Sequence, residues 1–148
     1  MATDSKNEPL KVLVVDGNPA DLELTRMAFE DRPWPYRLEV AEDGKQAMSC
    51  LHREGRHSHA DRPDLILMDL RLPGKSGLEV LAEIKGDVDL RQIPVVILTS
   101  SKAKQDIQKS YSLHANCYVI KPVDLDEYIG VVQKIEEFWL NVTKLPTL

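Results

Sequence analysis

Four residues of different chemistry each close a short apolar run. Asp16 ends Lys11-Val12-Leu13-Val14-Val15, and Asp69 ends Asp64-Leu65-Ile66-Leu67-Met68. Thr99 ends Pro94-Val95-Val96-Ile97-Leu98, and Lys121, followed by Pro122, ends Asn116-Cys117-Tyr118-Val119-Ile120. Short, continuously hydrophobic runs bounded by turn residues read as strands buried on both faces, the habit of a parallel sheet. Open α/β sheets place their chemistry just beyond the C-terminal ends of such strands. Two carboxylates, a hydroxyl and an ammonium are thus delivered to one rim, with Asp69 at the exposed end of its run. A carboxylate there can act as a nucleophile or a hard-cation ligand, and an ammonium can balance a transferred anion.

The elements that must hold these groups alternate along the chain. Strands are predicted at 11–15, 36–41, 65–68, 94–98 and 116–120. Helices are predicted over about 19–31, 43–54, from 77 onward, 102–113, and from Asp124 to about Leu140. Asn18 suits an N-cap with Pro19 at the first helical position, and Asp124 suits the last helix in the same way. Pro33-Trp34-Pro35 breaks the first helix. Ala47, Met48 and Leu51 mark the inner face of the second, and Leu78, Val80, Leu81 and Ile84 that of the third. Five strands alternating with five helices define a doubly wound α/β sheet with helices on both faces.

Composition narrows the function classes. The chain has 148 residues, enough for one domain with its own core. Nineteen Lys and Arg against 24 Asp and Glu give a net charge of −5, which argues against nucleic acid as a partner. No apolar run is long enough to span a bilayer, and residues 1–9 read as a disordered polar leader without a signal peptide's hydrophobic stretch. A cytoplasmic protein is expected. Cys50 and Cys117 read as buried thiols rather than a disulfide framework. His52, His57 and His59 read as solvated, and His114 as a cap near the end of the fourth helix.

Asp16, Asp69, Thr99 and Lys121-Pro122, each closing a different strand in that order, resemble the receiver domain of two-component response regulators over residues 10–140. The segments RPDLILMDLRLPGKSGLEVLAEIK, IPVVILTSSK, YVIKPVDLDE and IEEFWL further resemble the small stand-alone regulators paired with phytochrome histidine kinases. The resemblance implies a flavodoxin-like five-stranded parallel sheet of order 2-1-3-4-5. It implies Asp69 as phosphoacceptor from a sensor histidine kinase of the bacteriophytochrome type, with Lys121 and Thr99 contacting the phosphoryl group. It implies Mg²⁺ held by Asp16, Asp69 and the Arg71 backbone carbonyl. Thr99 and Tyr118 would form the switch, and a histidine phosphotransfer protein could receive the phosphoryl group onward. Such a domain catalyses only its own phosphoryl transfer and dephosphorylation, so it is not expected to be an enzyme for an external substrate.

The chain departs from the family at one place. Receivers carry two adjacent acids after the first strand, and here the pair is Asp16-Gly17. Slow or Mg²⁺-demanding phosphorylation is expected, and Gly17→Asp is expected to tighten Mg²⁺ binding. Asp21, in the first turn of helix one, reads as a poorly placed substitute. The alternative is a phosphorylation-independent interaction module whose metal site has decayed. A flavodoxin-like enzyme is a further rival, but no flavin or nucleotide loop supports it: Gly74-Lys75-Ser76 lacks the earlier glycine a phosphate-binding loop needs, Asp69 standing there instead. Arg71 likewise stands where an aspartyl-phosphatase signature needs a second Asp.

The last helix carries two apolar lines. Leu125, Tyr128, Ile129, Val132, Ile135 and Trp139 suffice for docking on the sheet. Val131, Phe138 and Leu145 form another, next to Ile135 and Val142. So wide an apolar arc predicts a homodimer through this helix and its extension at 141–148, using Phe138, Trp139, Val142 and Leu145; a tail folded back on its own domain is the alternative.

Overall fold

The computed structural model describes residues 9–54 and 62–146. Five strands, β1 (Leu10–Val15), β2 (Tyr36–Ala41), β3 (Leu65–Met68), β4 (Val95–Thr99) and β5 (Cys117–Ile120), pair in parallel in the order β2-β1-β3-β4-β5. The helices are α1 (Pro19–Phe29), α2 (Gly44–Leu51), α3 (Gly77–Gly86), α4 (Lys104–Ser112) and α5 (Leu125–Glu136), the last continuing into a π-helical turn, Glu137–Val142. Fold class and strand order are those expected.

The two-residue period of the strands divides the core. Leu13, Val15, Ile66, Met68, Val95 and Ile97 face α2 and α3, whose Ala47, Leu51, Val80, Leu81 and Ile84 pack among them. Val12, Val14, Leu65, Leu67, Val96 and Leu98 face α1 and α5, meeting Leu22, Phe29, Tyr128, Val132 and Ile135. β3 and β4 are buried throughout, which explains their unbroken apolar spelling. The edge strand β2 alternates half-buried and exposed positions up to its buried last residue, Ala41.

Local chemistry sets the helix ends. Asn18 Oδ1 accepts from the amides of Ala20 and Asp21, and Pro19 opens α1 as expected. Asp43 caps α2, Ser76 and Glu79 form a reciprocal capping box on α3, and Asp124 caps α5. α4 ends on its backbone: His114 adopts a left-handed φ of 71° and its amide donates to the Tyr111 carbonyl, so its backbone, not its imidazole, closes the helix. At the start of β4, the Lys85 ammonium donates to the carbonyls of Arg91 and Ile93 and to Asn116 Oδ1.

Several expectations need correction or placement. Leu125 does not dock on the sheet: it is 63% exposed, because the α5 face that packs runs through Tyr128, Val132 and Ile135. Leu78 is only half-buried against the core. His52 is exposed just after α2, while His57 and His59 lie outside the described residues, as does most of the 1–9 leader. Cys50 and Cys117 are free thiols. Among the described residues no helix is long and apolar enough to cross a membrane.

Candidate functional site

The C-terminal ends of β1, β3, β4 and β5 open onto a cleft of about 480 Å³, lined by Asp16, Gly17, Asn18, Asp21, Asp69, Arg71, Leu72, Pro73, Ser100 and Lys121. Asp69 stands at this open edge as expected, but its side chain is buried, not exposed. Lys121 packs directly against it. It follows β5 and extends across the sheet end, its Nζ donating to Asp69 Oδ2 at 2.7 Å, to Asp16 Oδ2 at 2.8 Å and to Asp21 Oδ2 at 2.8 Å. One ammonium thus gathers three carboxylates from β1, α1 and β3.

The second oxygens of two of these acids are held by backbone. Asp16 Oδ1 accepts from the Asn18 amide at 2.9 Å, and Asp69 Oδ1 from the Arg71 amide at 3.1 Å. Each interaction closes a tight turn at a strand end and fixes the direction of its carboxylate. Burial alone pulls Lys121 toward its neutral form, but hydrogen bonds to Asp16, Asp21 and Asp69 outweigh it and raise its pKa. Burial pushes the Asp16 carboxyl up, against the Lys121 ammonium and the Asn18 amide. Opposite charge at hydrogen-bond distance favours the charged form of Lys121 and opposes the burial that raises Asp16.

Thr99, the last residue of β4, is fully buried at the same edge. Its Oγ1 accepts from the Ser101 amide at 3.5 Å, a long contact. Tyr118 is half-buried on β5 and its hydroxyl donates to the Ser101 carbonyl at 2.9 Å. Thr99 and Tyr118 are therefore joined through one short loop, although neither touches Asp69 directly among the recorded contacts.

Asp21 is the residue that sequence reasoning undervalued. Its place in the first turn of helix one makes it read as a poorly placed substitute for the missing acid, yet it reaches Lys121 across a sequence distance of 100 residues. The signal was present: Asp21 is the third residue of a helix whose N-terminus opens onto the rim, because Asp16 and Asn18 turn the chain there. Gly17 also acquires a physical reading. A Cβ at this position would lie 2.9 Å from Pro73 Cδ and 3.3 Å from the Glu42 carbonyl oxygen. An acid at residue 17 therefore requires the β3–α3 loop to shift, which offsets part of the gain expected from Gly17→Asp.

The donor set fits a hard divalent cation. The carboxylates are oxygen ligands, and the ammonium already occupies the point where their charges converge. Among the described residues no three carboxylate, thiol or imidazole side chains form a ready metal cage. Mg²⁺ does not need one, since it keeps several waters and binds through one or two carboxylates.

The four predicted dimer residues divide. Phe138 and Val142 are exposed on the π-helical turn, whereas Trp139 and Leu145 pack half-buried against their own core. Phe138 meets Trp139 edge-on, with ring centroids 5.4 Å apart.

Residues 12–133 match the family described as the response regulator receiver domain. The response regulator Rcp1 of Synechocystis is 42% identical over 144 residues, 97% of this chain and 98% of that protein. The crystal structure of the phosphorylated cyanobacterial phytochrome response regulator RcpA is 45% identical, with a TM-score of 0.92 over 95% of this chain and 100% of that one. The Mn²⁺-bound form of Rcp1 is 42% identical, with a TM-score of 0.91 over 94% of this chain and 100% of that one.

Proposed function

The chain belongs to the response regulator receiver domain family, and on that footing we propose that Asp69 accepts a phosphoryl group from the phosphohistidine of a phytochrome-type sensor kinase. The observation that carries this reading is the Lys121 ammonium 2.7 Å from Asp69 Oδ2 in an open cleft. An Asp69 oxygen forms the new P–O bond as the P–N bond to the donor imidazole breaks, and the imidazole departs with a proton. The product is an acyl phosphate on Asp69. Asp16, Asp69 and the Arg71 carbonyl would hold Mg²⁺, which supplies charge neutralisation on the phosphoryl oxygens when bound. Lys121 supplies a second positive charge from the opposite strand. Its three carboxylate contacts hold it at the cleft before any donor arrives.

Output passes through Thr99 and Tyr118 in this reading. The Thr99 hydroxyl turns to a phosphoryl oxygen, drawing the loop that carries Ser101. Tyr118 is hydrogen-bonded to that loop, so its side chain follows, and the face built by α4, β5 and α5 changes. Tyr111, Val123 and Leu125 already expose apolar surface on these elements and the loop between them, with Val123 97% exposed. The same chemistry permits onward transfer to a histidine phosphotransfer protein. The reading makes this a cytoplasmic signalling domain whose only catalysis is on itself, with Mg²⁺ bound weakly because residue 17 offers no carboxylate.

Intact mass after incubation with a small phosphodonor, across a Mg²⁺ series, tests the reading. One added phosphoryl group that needs Mg²⁺ and disappears in Asp69→Asn is expected. No adduct at any Mg²⁺ concentration, with the donor or with a histidine kinase, transfers the function to the phosphorylation-independent module that Gly17 favours. Pairing of two copies through Phe138 and Val142 is part of the proposal. A double Phe138→Lys, Val142→Lys variant is then monomeric by light scattering while the parent is dimeric; an unchanged mass removes this surface from the interface.

A further inference from the structure

The loop between β4 and α4 is held at its centre by an acid that lies outside the cleft. α4 starts without a side-chain cap, since Ala103 stands at the N-cap position. Asp106, the third residue of the helix, is where a capping-box acid reaches back to the N-cap amide. Here the Ser101 hydroxyl stands between the two. Its Oγ accepts from the Ala103 amide at 3.3 Å and donates to Asp106 Oδ2 at 2.5 Å. The first turn of α4 is therefore fastened to the loop rather than to itself. Asp106 is fastened in turn, because the buried Ser110 donates its hydroxyl to the Asp106 carbonyl at 2.7 Å.

Ser101 is also the residue through which Thr99 and Tyr118 meet. Its amide donates to Thr99 Oγ1 at 3.5 Å, and its carbonyl accepts from the Tyr118 hydroxyl at 2.9 Å. The bond to Asp106 is the shortest of these contacts and its acceptor is a carboxylate, the kind of bond that is roughly twice as strong as a neutral one. Ser101 is buried, so solvent poorly replaces a lost acceptor. The Asp106 charge also reaches the Tyr118 phenol, adding to the burial that raises its pKa. A relay delivers displacement only when its middle point is stiff, and the middle point here is anchored by Asp106.

We propose that Asp106 is a positioning residue of the switch: through Ser101 it holds the loop so that movement of Thr99 is delivered to Tyr118. This rests on the Thr99–Tyr118 reading above and names what makes that coupling stiff. Asp106 is not among the residues lining the cleft, so it acts on the output of the site and not on phosphoryl acceptance.

The test reads acceptance and output on the same sample. Parent and variants are labelled with fluorotyrosine and treated with a small phosphodonor and Mg²⁺. Intact mass reports the phosphoryl group on Asp69, and the fluorine NMR line of Tyr118 reports the switch. That line is assigned by its loss in Tyr118→Phe, since the chain has four tyrosines. In the parent the line is expected to move as the phosphoryl group is gained. Asp106→Ala and Ser101→Ala are each expected to gain the group to the parent's extent while the Tyr118 line stays near its unphosphorylated position. The double variant is expected to match either single one, because both remove the same bond. Asp106→Asn keeps an acceptor for the Ser101 hydroxyl and is expected to retain most of the movement.

Full movement of the Tyr118 line in Asp106→Ala overturns the inference, and so does its loss in Asp106→Asn. Failure of either alanine variant to accept a phosphoryl group that the parent accepts overturns it too, since the pair would then serve acceptance. In each of these cases the receiver reading stands. A parent that gains the group with no movement of Tyr118 removes the switch reading and the inference together, leaving acceptance at Asp69 intact. A parent that gains none removes all three.

Discussion

Two buried charged clusters lie at opposite edges of the sheet, and they are closed in different ways. At the C-terminal edge, Lys121 makes three hydrogen bonds of 2.7–2.8 Å to carboxylates, two of which are also held by backbone amides. At the other edge, where α5 ends beside the start of β2, Glu136 is fully buried with Arg32 Nε 3.6 Å away. There, among the described residues, Arg32 Nε, Trp34 Nε1 and both Glu136 oxygens make no hydrogen bond of good geometry, although the Trp34 indole lies close enough to favour the Glu136 carboxylate and the Arg32 guanidinium stacks 4.7 Å over the Trp34 ring. The first cluster has surplus negative charge in a cleft that a ligand can enter. The second has a carboxylate sealed away from water with too few donors. Burial is the largest influence on Glu136, pushing its carboxyl up to about 7 against the pull of Arg32. Open to solution, an excess of carboxylates can recruit a cation; sealed, it can only tax stability.

Removing Lys121 should sharpen the contrast most. Lys121→Met leaves three carboxylates facing one another, and without divalent cation it is expected to lose about 3–5 kcal/mol, the usual cost of breaking a buried ion pair. Mg²⁺ should restore much of that loss, read as a recovery in thermal midpoint. A variant as stable as the parent without Mg²⁺ would mean that the cleft is wetter than its burial implies.

The sealed cluster should reveal itself through pH. Glu136 holds its proton up to about 7 in the folded state against an ordinary 4.5, so the folded chain binds more protons between those values. Its contribution is fully present below the unfolded value and is lost as pH rises through 7. Parent stability is therefore expected to fall by up to about 3 kcal/mol across that window, and Glu136→Gln to flatten the decline. Lys121 shifts upward from 10.5, so its contribution is retained throughout that window and lost only in strong alkali. Denaturant curves at pH 5, 6, 7 and 8 decide this; equal slopes for parent and variant would refute the sealed-carboxylate account.

The smallest effect belongs to the contact between the two clusters. Tyr128, on α5, shares a buried 3.2 Å hydrogen bond with Thr25 Oγ1 on α1. Tyr128→Phe is expected to cost about 1 kcal/mol in a denaturant titration, the net worth of one such bond. A loss several times larger would show that the clusters are mechanically coupled through this helix pair.

What the sequence makes legible follows from period and punctuation. β3 and β4 are spelled as unbroken apolar runs, and the residues that end them, Asp69 and Thr99, can be placed at the rim before any coordinates exist. Asp21 cannot be placed that way, because its reach depends on the turn that Asp16 and Asn18 build between β1 and α1. Leu125 looks like part of an apolar stripe, but burial on α5 begins only at Tyr128. Glu136 is spelled like a solvated charge next to Glu137. Only the tertiary approach of Arg32 and Trp34 buries one of that pair and leaves the other exposed.

The π-helical turn after Glu136 has a geometric consequence. A chain closing hydrogen bonds five residues apart advances less around the axis per residue than one closing them four apart. The turn therefore sets the phase of Phe138 and Val142 relative to the stripe of Tyr128, Val132 and Ile135 that anchors α5. Changing its length by one residue would leave the anchor seated and swing the exposed pair to another compass bearing. Angular aim at this end of the molecule is thus a quantity separate from affinity for the domain's own core.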